Sequence, residues 1–104
     1  MQTDWINALY RDADLAELTI RARNGEALTE TEEFRLQGLR QRMLVAFEYV
    51  YGEVQRGMID ESTMSAEAWQ GGFRNVPRMM DTWNQSKSNR DPGFVRWMEA
   101  NVVN

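Results

Sequence analysis

The sequence predicts an all-α protein: an irregular bundle of about five helices around one long central helix at about residues 30–56. Three observations carry that expectation. Apolar residues recur at three- and four-residue steps in every long segment, the pattern of a helix with one buried face. The alternation of β-branched and aromatic with polar residues that marks half-buried strands is missing. Both prolines, Pro77 and Pro92, fall in the last third, so no proline interrupts helical geometry before Val76. A length of 104 residues with 42% hydrophobic side chains fits a single helical domain over 1–104 with a real core.

Each element follows from local chemistry. Trp5, Ile6, Leu9, Tyr10 and Ala13 form one apolar stripe, while Leu15, Leu18 and Ala22 form another on nearly the opposite side. A straight helix cannot face two ways, so the pattern predicts a short helix near 3–11, a break, and a helix near 13–24. Asp12 and Asp14 offer capping oxygens there, and Gly25 supplies a left-handed stop. Thr29 and Glu32 then make a capping box, with Leu28 placed as the staple. The stripe Leu36, Leu39, Met43, Phe47, Val50, Val54 runs on from that cap until Gly57 ends it. Asp60 reads as the N-cap of a fourth helix through Trp69, which Gly71 and Gly72 loosen. Pro77 marks a restart, and Met80 and Trp83 continue helical spacing to about Gln85. The polar run Ser86 to Asp91 is a loop. Asp91 and Pro92 then cap and start a final helix bearing Phe94, Trp97, Met98 and Val102.

Composition narrows the chemistry. The chain has no histidine and no cysteine, which removes the usual proton shuttle and the usual transition-metal ligands. No disulfide framework is available, and the N-terminus lacks the basic start and apolar stretch of a secretion signal. The longest apolar run, Met43 to Phe47, is far too short to cross a bilayer. These features lead us to expect a cytoplasmic chain that does not itself enter a membrane. The net charge of −4 is uneven: residues 1–69 carry −6 and residues 70–104 carry +2. An acidic chain repels a phosphate backbone at long range, which disfavours nucleic acid as a partner.

Carboxylates are the only abundant reactive groups. Glu30, Glu32 and Glu33 sit where a helix N-terminus stabilises acids anyway. The run from Asp60 fails as a calcium loop, because the sixth position is Ser65 and the twelfth is Gly71. Glu48 is the most informative acid. It lies at the margin of the core stripe with Tyr51 one turn away, so it reads as a hydrogen-bond partner for another helix or as a general acid or base. Arg40 falls between Leu36, Met43, Leu44 and Phe47, making it the second candidate member of a buried polar pair. No nucleophile elbow, phosphate-binding loop or dinucleotide fingerprint occurs, and no cofactor is expected.

Two surfaces are left. Gly38, Val45, Tyr49 and Gly52 gather on the back of the long helix. Two glycines on one helical face suggest that another backbone comes close, either from the same chain or from a partner. Arg74, Arg78, Lys87, Arg90 and Arg96 interleave with Trp69, Trp83 and Trp97, a combination that could stack on single strands or attract an anionic partner. The Trp residues, however, occupy core registers.

Leu28, Thr29, Glu32, Phe47, Glu48, Gly57, Ile59, Asp60 and Trp69 together make a pattern. It is a capped helix start, a long helix with a central aromatic-Glu pair, a Gly-x-Ile-Asp stop and a downstream Trp. This resembles a broad group of uncharacterised bacterial helical domains over about half the chain. Members of that group often carry one or two membrane spans ahead of the domain, and this sequence shows none. The resemblance implies a helical fold and brings no catalytic role. The functional expectation is a non-enzymatic interaction or regulatory module that binds a protein partner or itself as a homodimer. The alternatives are a small-ligand or metal site around Glu48 and Asp60, and nucleic-acid binding through the basic C-terminal third.

Overall fold

The computed structural model describes residues 13–103. The helix expected near 3–11 and the cap proposed at Asp12 lie outside what it describes, whereas Asp14, the other proposed cap, falls inside the first helix rather than ahead of it. Five α-helices follow in order: α1 (Ala13–Arg23), α2 (Glu30–Gln55), α3 (Ala66–Asn75), α4 (Met79–Ser86) and α5 (Pro92–Asn101). Two 3₁₀ turns, Glu61–Thr63 and Lys87–Asn89, join them, and no strand occurs among the described residues.

The ends of the first two helices are set by side-chain and glycine chemistry. Gly25, at φ 79°, and Gly57, at φ 75°, take left-handed geometry after α1 and α2. At each stop the following amides fold back: Glu26 N–H donates to the Arg21 carbonyl, and Met58 N–H to that of Glu53. This is the double reverse bond of a Schellman motif, and it satisfies carbonyls that a helix end leaves orphaned. At the start of α2, Glu32 N–H donates to Thr29 Oγ1 at 3.1 Å, and Thr29 N–H donates to Glu32 Oε1 at 2.9 Å. The second oxygen of Glu32 accepts from Arg21 at 2.9 Å, tying α1 to the same cap. The Thr29 amide, and after it Arg21, hold the Glu32 carboxyl below its ordinary 4.5.

A carboxyl depressed in this way stabilises the fold above its unfolded pKa, and that stabilisation is lost as pH falls through the folded value. Glu32→Gln should therefore flatten the acid limb of a plot of melting temperature against pH, between about pH 5 and pH 3. An unchanged acid limb would show that Glu32 is not coupled to folding.

The core lies along one side of α2. Leu36, Leu39, Met43, Leu44, Phe47 and Val50 are buried there against Leu18 of α1, Trp69 and Phe73 of α3, Met79 and Trp83 of α4, and Phe94 and Met98 of α5. The Trp69 ring stacks on Phe47 with centroids 4.4 Å apart and planes at 21°, and it meets Trp97 edge-on at 5.3 Å. Trp83 meets Phe73 and Phe94 edge-on at 6.2 and 5.9 Å. Such geometries suit the quadrupoles of the rings as well as their area.

Two details of the α3 region correct the sequence reading. Asp60 caps the 3₁₀ turn rather than a helix, accepting from Ser62 N–H at 2.8 Å. That amide holds its carboxyl below the ordinary range. The cap of α3 is Ser65, which accepts from Ala68 N–H at 3.2 Å. Nor do Gly71 and Gly72 loosen the helix, which runs through both to Asn75. Gly72 is buried because α3 crosses α2 closely there. A Cβ at this position would lie 3.1 Å from Met43 Cε and 3.7 Å from Phe47 Cζ, so burial of Trp69 and Phe73 outweighs the poor propensity of glycine. Val76 is extended ahead of Pro77 as expected, and Arg78 takes a left-handed φ of 65° before α4 begins.

Candidate interaction surface

The two polar groups on the core-facing side of α2 do not pair with each other. Arg40 is buried, and donates from Nε to Thr82 Oγ1 at 3.1 Å and from Nη1 to the Pro77 carbonyl at 3.3 Å. Burial, and then the nearby Arg78 charge, lower its pKa. Glu48 accepts from Arg90 Nη1 at 2.9 Å and from Asp91 N–H at 3.0 Å. The two ends are connected through α4: Ser86 donates to the Thr82 carbonyl at 2.9 Å, and Arg90 Nε donates to Ser86 Oγ at 3.3 Å. A polar seam thus runs from Arg40 through Thr82, Ser86 and Arg90 to Glu48. Asp91 accepts from Phe94 N–H at 3.0 Å, so the seam also ends at the cap of α5. Every member of the seam has a partner within the protein, which is what a fold-specifying network requires.

The small-ligand arrangement would need Glu48 and Asp60 in one concavity. Glu48 faces Arg90 and Asp91, Asp60 is exposed and bonded to Ser62, and the groove that Glu48 lines does not include Asp60. No group of three acidic side chains able to hold a metal occurs among the described residues.

The basic candidates are spread and mostly engaged. Arg78 lies 3.7 Å from Glu33 and 3.3 Å from Asp81, Lys87 is 3.0 Å from Glu99, and Arg90 belongs to Glu48. Exposed Arg74 bonds to Gln70 at 3.1 Å, and Arg96 is exposed on α5. Trp69 and Trp83 are fully buried and Trp97 is half-buried against the core, so the first two rings are closed to a stacking base.

The back of α2 is different. Val45 is 59% exposed and Tyr49 63% exposed, and Phe34 near the start of the same helix reaches 77%. The glycines do not admit another backbone of this chain. The position a Cβ would take at Gly38 meets only the Arg42 guanidinium, at 3.8 Å, and at Gly52 only that of Arg56, at 3.5 Å. Both glycines thus leave room for an arginine one turn on to lie flat along the helix. Of the two explanations the sequence offered for this face, burial by the chain itself fails among the described residues.

Val45 and Tyr49 form a ridge between two grooves. One, of about 700 Å³, is almost wholly apolar, with Ala46, Val50, Ile59 and Thr63 in its walls and Gln41 and Arg42 at the ridge side. The other, of about 580 Å³, is of mixed polar and apolar character, and Glu48, Tyr51, Gly52, Gln55, Arg56 and Asp91 line it beside the ridge. Periodicity could find the ridge, but not the wall of Ile59 and Thr63, which belongs to the turn after α2. Nor could it find Arg90 as the partner of Glu48, since no local pattern links residues so far apart in sequence. No helix among the described residues is long and apolar enough to cross a membrane. Comparison of the chain with known families, curated proteins and solved structures finds no match.

Proposed function

We propose that this chain is a non-enzymatic interaction module, working in the cytoplasm, whose contact surface is the back of α2. The observation that supports it is the exposed Val45–Tyr49 ridge between two grooves, on the helix that the rest of the fold is built against. A tyrosine held exposed on a rigid helix is a typical anchor of a binding surface. The ligand-site and nucleic-acid alternatives have less support: Glu48, Arg78, Lys87 and Arg90 already hold ion pairs.

A photoreactive phenylalanine analogue placed at Tyr49 in living cells should yield a discrete protein adduct. The same probe at Met80, exposed on α4, should not. Tyr49→Arg should weaken the association by about tenfold or more, as loss of a central aromatic anchor does. Equal or absent labelling at the two positions would remove the reading.

A further inference from the structure

We infer that the slot between α2 and α4 is a binding site for a small, singly charged oxyanion, a carboxylate, held by the guanidinium of Arg40. This goes beyond the interaction reading, and the slot shares no residue with the Val45–Tyr49 ridge or the grooves beside it. Its basis is an imbalance of charge. Arg40 is only 4% exposed, yet none of its partners among the described residues is a carboxylate. Nε and Nη1 donate to the Thr82 hydroxyl and the Pro77 carbonyl, which satisfy the donors without supplying a negative charge. Nη2 has no hydrogen-bond partner among the described residues. Arg90, also enclosed, has the Glu48 carboxylate; Arg40 has no such counterpart.

The guanidinium lines a cavity of about 60 Å³ whose wall is almost wholly polar. Gln37 stands beside it on α2, and Arg78, Asp81, Thr82 and Gln85 face it from one side of α4 and the turn before. The side-chain amides of Gln37 and Gln85 have no partner among the described residues, so both can donate. Arg40 and Arg78 bring two positive charges to the wall and Asp81 one negative, a net of one positive. A single carboxylate neutralises that charge, whereas a dianion overshoots it. The volume is about that of two water molecules in the liquid, which fits a carboxylate group and excludes a nucleotide or a sugar.

The surroundings agree with that assignment. Glu33 and Asp81 are near enough to favour the Arg40 charge, but burial and the Arg78 charge outweigh them and lower its pKa. A buried cation in that state is stabilised by a fixed negative charge brought to it. A hydrogen bond from Nη2 to a carboxylate is charge-assisted on both sides, and so stronger than one to a neutral acceptor. Arg78 stands on the cavity wall at a cost. Its φ of 65° is left-handed geometry that a residue with a Cβ rarely adopts, and its pairs with Glu33 and Asp81 are exposed and worth little.

Sodium formate tests the site on the full chain. In a proton–nitrogen correlation spectrum it should move the Arg40 Nε and the Gln37 and Gln85 amide signals together and saturably, and sodium chloride should not. So small a ligand makes few contacts, so the dissociation constant should be about 10 mM. Formate at about 100 mM should then raise the melting temperature by about 5 °C or more above the same concentration of chloride. Arg40→Met should abolish both responses. If that variant fails to fold, Arg78→Gly decides: glycine takes the left-handed turn without penalty, so the fold is kept. The cavity wall is then neutral, and the formate constant should rise about tenfold. Arg74→Gln, exposed on α3, should change nothing. Acetylglycine presents the carboxylate of a chain end. Binding at least as tight as that of formate would make the natural ligand a peptide terminus, and weaker binding a free small acid. Equal responses to formate and chloride, or a formate response unchanged in Arg78→Gly, would overturn the site.

Discussion

Trp69→Ala should destabilise the fold by about 3–5 kcal/mol, the range for truncating a large buried aromatic. Its ring is fully buried, lies flat on Phe47 at 4.4 Å and receives the edge of Trp97 at 5.3 Å, so it touches α2 and α5 from its place on α3. Removing it opens a cavity whose walls belong to three helices, which cannot all close on it at once. Domains of this size have roughly 5–15 kcal/mol of stability in total, and each kcal/mol shifts the melting temperature by about 4–8 °C. The variant should therefore melt more than about 12 °C below the parent. Trp69→Phe, which keeps the stack on Phe47, should lose much less. A shift under about 5 °C for the alanine variant would mean that the aromatic stack is not the centre of the core.

Glu48→Ala is the second large effect, at about 2–3 kcal/mol by urea denaturation. Breaking a fully buried ion pair by removing one partner costs about 3–5 kcal/mol. The figure is reduced here because the Glu48 side chain is 31% exposed, although that of Arg90 is only 10% exposed. The loss has two parts. The Arg90 guanidinium is left without its carboxylate, and the Asp91 amide loses its acceptor at the start of α5. Arg90→Leu in the same background should recover part of the loss, because the stranded charge is then gone, and a double-mutant cycle measures the coupling. A cost below about 0.5 kcal/mol would place the pair with ordinary surface bridges.

Much of this fold is legible because helix punctuation is local. The Thr29–Glu32 box, the left-handed stops at Gly25 and Gly57, and the Asp91–Pro92 start depend on residues within a turn of one another, and all form as read. The misreadings have a common physical origin. Asp60 is as good a capping residue as Ser65, and which of them starts the α-helix depends on where Trp69 must fall against Phe47. Gly71 and Gly72 look like a weak point until the close approach of Gly72 to Met43 is known. The candidate surfaces divide in the same way. Spacing places Val45 and Tyr49 on one face, but whether that face is covered is a tertiary question. The basic third of the chain reads as free charge only because Glu33, Glu48, Asp81 and Glu99 return to it from elsewhere in the fold or from the neighbouring turn.

The polar seam has a mechanical consequence. A helix held at one point can swivel or slip by a residue, whereas the segment around α4 is fastened to α2 at both ends, by Arg40 at Pro77 and Thr82 and by Glu48 at Arg90 and Asp91. Any sliding must break both fastenings together, so only one alignment is available. The outward side of α2 inherits that stiffness. An incoming molecule that lands on Val45 and Tyr49 meets a platform whose freedom was surrendered during folding, and little further ordering is needed at the moment of contact.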